Sequence, residues 1–212
     1  MTHVLILGAN GQIARYAIDL LLNETDAQLT LYLRNANRLS NLQSDRVSIR
    51  EGDVLDLATL KEAMESQDVV YANLSGDMEG QAKNIVKNME KTGLKRLIFI
   101  NAFGIYDEIP GEFGKWNQRV IGQYLPPYRK AADIIEDSDL DYTIVRPPWL
   151  TNEDEIDYEI TQKAGPFIGT VVSRKSVASL VVKMVESPGL HVRRNLGINK
   201  PNTNGDRPAF ME

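Results

Sequence analysis

The 212-residue chain contains no cysteine, which excludes disulfides, thiolate catalysis and cysteine-ligated zinc or iron–sulfur centres together. Its two histidines, His3 and His191, lie far apart, so no imidazole cluster for a metal is expected and no metal site is assigned. An excess of positive charge is missing as well. With 24 Lys and Arg against 29 Asp and Glu the formal charge is −5, whereas the sequence-independent part of nucleic-acid binding needs basic side chains gathered against phosphate. Long apolar runs are also lacking: Val4 to Leu7 stops at a glycine, while a bilayer span needs roughly 20 apolar residues. The expectation is a cytoplasmic protein that meets neither nucleic acid nor membrane.

The residues that are present, 42% hydrophobic and 25% charged, are those of a chain with a sizeable core. Short apolar runs occur at Val4 to Leu7, Leu29 to Leu33, Val47 to Ile49, Val69 to Ala72, Leu97 to Ile100 and Tyr142 to Val145, as strands buried on both faces require. Between them Ile13 to Leu22, Leu57 to Met64, Gln81 to Met89 and Lys130 to Ile135 carry apolar residues at spacings of three and four, the period of a helix with one buried side. This alternation predicts right-handed βαβ units: an α/β, Rossmann-like, doubly wound parallel sheet with helices on both faces. One dinucleotide-binding domain is expected over residues 1–212, with a small substrate-side segment at about 147–172 made of loop and short strands. A helix over Val177 to Val185, capped by Ser173 or Ser176, and a last strand at Asn195 to Ile198 complete the prediction. The polar tail from Lys200 is expected on the surface.

The segment Gly8-Ala9-Asn10-Gly11-Gln12-Ile13-Ala14 joins the first strand to the first helix. Gly8 suits the tight turn, Gly11 lets backbone approach a pyrophosphate, and Ala14 lets the helix pack close to the strand. The free N–H groups from Asn10 to Ile13 and the helix dipole then favour phosphate. About twenty residues on, the second strand ends in Arg34-Asn35-Ala36-Asn37-Arg38. An acid there would hold the 2′-hydroxyl of NAD; arginines suit a 2′-phosphate, so NADP(H) is expected over NAD(H).

Taken with Gly52-Asp53-Val54, Asn73-Leu74-Ser75-Gly76, Asn101-Ala102 and the run from Lys130 through Arg146-Pro147, the chain resembles the atypical short-chain dehydrogenase/reductases of the NAD(P)H-binding, NmrA-like type. That resemblance implies that Asp53 and Val54 lie on the adenine, and that Leu74, Ser75 and Gly76 lie against the centre of the cofactor. Asn101, Ala102 and Pro147 would border the nicotinamide, and Lys130 would hold its ribose.

The chain also departs from the family. The tyrosine expected four residues before Lys130 is replaced by Pro126, with Tyr124 and Tyr128 at spacings that do not share its helical face. Asn101 and Ala102 stand where the family has a serine. Tyr106 is left as the candidate acid beside Lys130. Two functions follow: an NADPH-dependent reductase of a small apolar acceptor such as a quinone, flavin or tetrapyrrole, with Trp116, Trp149 and Phe167 as walls; or a non-catalytic NADP(H) sensor that reports to a regulatory protein partner.

Overall fold

The computed structural model describes residues 1–211. Strand β1 (His3–Leu7) has Val4 and Ile6 on one face and Leu5 and Leu7 on the other, all fully buried, so this strand belongs in the centre of a covered sheet. It leads into α1 (Gln12–Glu24), whose Ile13, Ala14, Ala17, Ile18 and Leu21 form the inward stripe. Then follow β2 (Gln28–Leu33), a 3-10 stretch (Ala36–Leu42), β3 (Val47–Glu51) and α2 (Leu57–Met64), which Asp56 caps by accepting from the Ala58 and Thr59 N–H groups. After β4 (Val69–Ala72) comes α3 (Met78–Thr92), capped by Asp77.

The second half runs through β5 (Arg96–Ile100), α4 (Gly111–Ile121), a 3-10 turn (Gly122–Tyr124), α5 (Leu125–Glu136) and β6 (Asp141–Arg146). Beyond Pro147 and Pro148 lie β7 (Trp149–Thr151), β8 (Glu159–Gln162) and β9 (Val171–Ser173), then α6 (Arg174–Glu186) and β10 (Arg194–Asn199). Ser173 caps α6 by accepting from the Ser176 N–H.

The large sheet has the order β3-β2-β1-β4-β5-β6-β10-β8, and every pairing in it is parallel except β10 with β8. α1 and α6 cover one face; α2, α3 and α5 cover the other. The strand order reverses between β1 and β4, and ligands in such sheets bind at the carboxyl end of the strands beside that switch point. β7 and β9 form a separate two-stranded parallel sheet. Among the described residues no helix is long and apolar enough to cross a membrane.

α4 is the element that the sequence pattern did not disclose. Gly111 and Gly114 are poor helix formers, and its buried side chains are Phe113 and Asn117, too few to set up a legible stripe. α5 begins five residues before the periodic segment because Pro126 and Pro127 sit in its first turn, where a missing N–H costs nothing.

Candidate functional site: a cleft at the strand ends

Residues just beyond five parallel strands line a cleft: Gly8 after β1, Arg34 after β2, Asn73 after β4, Asn101 after β5 and Pro147 after β6. It has an outer cavity of about 430 Å³ and an inner one of about 480 Å³, which share Asn73 and Leu74. An open depression of about 800 Å³ at the opposite, amino-terminal ends of the strands touches none of these residues.

The turn between β1 and α1 is built for close approach. Gly8 has φ +74° and donates its N–H to the Tyr32 carbonyl at 3.0 Å; a Cβ here would collide with the Asn73 carbonyl. A Cβ on Gly11 would strike the Asn73 side-chain amide. α1 begins with no side chain bonded to its cap and no acid in its first turn, so its free N–H groups and positive dipole end are left for an anion. A dinucleotide pyrophosphate fits this cradle.

At the outer cavity Arg34 and Arg38 are exposed, and among the described residues neither guanidinium has a hydrogen bond or an ion pair. Glu51, at the end of β3, turns its carboxylate to the Ala36 N–H at 2.8 Å. Tyr32 donates its hydroxyl to the Asp53 carbonyl at 3.0 Å, and the Asp53 carboxylate accepts from the Leu55 N–H at 2.9 Å. The turn with Asp53 and Val54 is thereby held against the cavity, with buried Val54 as wall. Ser75 also borders it, its carbonyl fixed by the Gln81 amide at 3.1 Å.

The inner cavity is apolar over most of its wall, with Ile13, Ala102, Phe103, Leu125 and Trp149 among its residues. Asn101 uses its amide internally: Oδ1 accepts from the Ala102 N–H at 2.7 Å and Nδ2 donates to the Tyr128 carbonyl at 3.1 Å. It ties the end of β5 to α5, at the place of the serine.

With this geometry in hand, residues 8–188 match the model of the NAD(P)H-binding family. The chain belongs to that family. It is 46% identical, over the whole of both chains, to a Rossmann-fold NAD(P)-binding family protein from Shigella flexneri, with a TM-score of 0.86. A short-chain dehydrogenase/reductase from Veillonella parvula solved in complex with NADP is 29% identical over 99% of both chains, with a TM-score of 0.92. A Bacillus subtilis protein named an uncharacterized sugar epimerase is 24% identical over 164 residues, covering 71% of this chain and 73% of its own. With the Rossmann-like short-chain dehydrogenase fold, NAD(P)H binding is the property that the family match gives this chain.

Of the family positions, Gly8, Asn10, Gly11, Arg34, Arg38, Asp53, Val54, Leu74 and Ser75 come together at the outer cavity, and Ile13, Asn101, Ala102 and Pro147 at the inner one. Gln12, the first residue of α1, and Gly76, at φ +93°, border neither cavity wall. Lys130 is also off the wall. Its ammonium lies 2.9 Å from Glu79 Oε2, on the exposed junction of α5 and α3, and this pairing with the Lys83 pairing holds the Glu79 carboxyl below its ordinary value.

Tyr106 is turned away from the cleft. Its hydroxyl donates to Glu136 at 3.1 Å and accepts from Asn195 at 2.8 Å, and its ring lies against Arg129, Arg146 and Lys163. Burial, helped by the Glu136 charge, pushes the phenol far above its ordinary value. Neither Lys130 nor Tyr106 borders either cavity of the cleft. Of the three expected aromatic walls only Trp149 reaches the cavity. Trp116 packs behind it at 5.1 Å between centroids, and Phe167 lies against Phe103 at 5.6 Å. Phe167 is fully buried in a small aromatic cluster, and Trp116 packs against that cluster partly buried.

Asn73, which opens the loop after β4 already marked by its likeness to the family, joins the two cavities. Phe103, Tyr128, Arg174 and Phe210 border the inner cavity from four separate segments, a convergence that only the fold reveals.

Proposed function

We propose that the protein is an NADPH-dependent reductase of a small, flat, largely apolar acceptor such as a quinone or flavin, working in the cytoplasm. The observation that carries this reading is the inner cavity: it opens from the end of the dinucleotide cradle, has apolar walls, and has neither Lys130 nor Tyr106 on them. Carbonyl reduction and sugar epimerisation need a positioned acid or base beside the substrate. A quinone or flavin needs alignment and exclusion of water more than it needs an acid, and takes its proton from solvent. NADPH, when bound, supplies a hydride from its nicotinamide ring.

The chain's own contributions follow from position. Gly8 and Gly11 admit the pyrophosphate to the amino end of α1, and Arg34 and Arg38 face the 2′-phosphate. Asn101 and Pro147 border the nicotinamide end; Ala102, Phe103 and Trp149 hold the acceptor against it. The NADP complex of the Veillonella relative supports the choice of cofactor. Tyr124 and Tyr128 both border the inner cavity, and burial raises the Tyr128 pKa, so its phenol stays protonated at neutral pH.

One observation favours a second reading, in which the protein binds NADP(H) without turnover and signals to a protein partner: the family lysine is engaged by Glu79 outside the cleft. NADPH oxidation with quinones, flavins and aldehydes separates the two. The reductase reading expects sustained oxidation with a quinone or flavin and little with aldehydes, and expects Tyr128→Phe to retain the rate within about tenfold, roughly 1.4 kcal/mol of barrier. A loss nearer 100-fold to 10,000-fold would be the mark of positioned acid catalysis. NADPH binding with no oxidation by any acceptor would instead establish the sensor.

A further inference from the structure

We infer that Arg174 binds a negatively charged group on the acceptor, so that the preferred substrate is a flat apolar molecule bearing a carboxylate or phosphate. The inference rests on the reductase reading of the inner cavity and names its substrate class. Among the described residues Arg174 is the only charged one on that cavity's wall; the rest are apolar or aromatic side chains, prolines and asparagines. It is the first residue of α6, held in place because Ser173 caps the helix and donates its hydroxyl to the Glu155 carbonyl at 2.8 Å.

The guanidinium is only partly committed. Nη1 donates to the Leu150 carbonyl at 3.3 Å and to Asn152 Oδ1 at 2.9 Å, while among the described residues Nε and Nη2 have no hydrogen-bond partner and no carboxylate lies within ion-pair distance. The acids nearby are taken by other cations: Asp154 by Lys175 at 2.6 Å, Glu155 by Lys200 at 2.7 Å. A partly buried cation without a counterion has lost hydration that the two hydrogen bonds from Nη1 replace only in part. The free Nε and Nη2 donors of the planar fork suit a carboxylate or phosphate, which takes two parallel hydrogen bonds. Arg34 and Arg38 line the outer cavity and Arg174 does not, so the cleft has a separate cationic anchor at each end.

The test is equilibrium binding to the protein saturated with NADP⁺, using paired probes of one ring system: FMN against riboflavin, and a carboxylated naphthoquinone against menadione. The charged member of at least one pair should bind wild type at least tenfold more tightly. The advantage should shrink with added salt, should vanish in Arg174→Gln, and should survive in part in Arg174→Lys. Selectivity for FMN alone assigns a phosphate, and for the naphthoquinone alone a carboxylate. Equal binding within both pairs, or a preference that persists in Arg174→Gln, would overturn the inference. So would a tenfold loss of NADPH affinity in Arg174→Gln with the pair preference intact, which would place Arg174 on the cofactor. Charge-selective binding without turnover would count against the reductase reading alone, and turnover without charge selectivity against this inference alone.

Discussion

At the scale of single residues, the polar groups nearest the cleft divide into those engaged within the protein and those left free. Arg146 is fully buried, pairs with the nearly buried Glu108, and donates Nε to Asn195 at 2.7 Å. Glu108 in turn accepts from the Gly104 N–H at 3.0 Å and the Tyr106 N–H at 2.9 Å. One carboxylate thus fixes the loop after β5 to the end of β6, beside Phe103 and Pro147 of the inner cavity. Removing one partner of such a pair strands the other charge, at a cost of about 3–5 kcal/mol. Glu108→Ala is therefore expected to lower the melting temperature by about 6–20 °C in a chain of this size. Combining it with Arg146→Met should restore part of the loss, because no charge is then left buried. Additive losses in calorimetric melts would show that the pair is not a coupled unit. The sequence did not disclose this pair: Glu108 lies 38 positions from Arg146, and nothing in its neighbourhood announces the pairing.

At the scale of elements, the turn from β1 to α1 was the most legible part because its requirements are local: a positive φ, close backbone approach and an uncapped helix start are each written in Gly8 and Gly11. Gly8→Ala places a Cβ on a left-handed residue and against the Asn73 carbonyl. It should cost at least about 1–3 kcal/mol of stability from backbone strain and weaken NADPH more than tenfold. Denaturant melts and NADPH titration of the variant check both, and wild-type values in both would contradict this account of the turn. Strands and long helices were legible for a related reason, since burial on two faces or on one stripe imposes a period. α4 was not, because its buried side chains are only Phe113 and Asn117, with Gly114 between them. The orientations of Lys130 and Tyr106 were not legible either: Glu79, Glu136 and Asn195, which turn them aside, come from other elements.

At the scale of the molecule, the order β2-β1-β4-β5-β6 puts five strand ends side by side, so one cleft inherits a phosphate cradle, two arginines unpaired among the described residues and an apolar chamber from segments dispersed over most of the chain. The topology follows from the alternation of strands and helices, and it decides where a ligand lies; which ligand is decided by the few side chains at the strand ends. The central claim is that Arg34 and Arg38 select a 2′-phosphate. A charge-assisted hydrogen bond is worth roughly 1.5–3 kcal/mol, about tenfold to more than a hundredfold in affinity. Arg34→Asp removes one such donor and sets a carboxylate beside the phosphate, while the same carboxylate accepts from the 2′-hydroxyl of NADH. Calorimetric titration of NADPH and NADH into wild type, Arg34→Asp and Arg34→Asp/Arg38→Ala measures this directly. The account predicts NADPH binding at least tenfold weaker in Arg34→Asp, NADH binding equal or tighter, and a further shift in the double variant; an unchanged ratio of the two affinities in the double variant would contradict it.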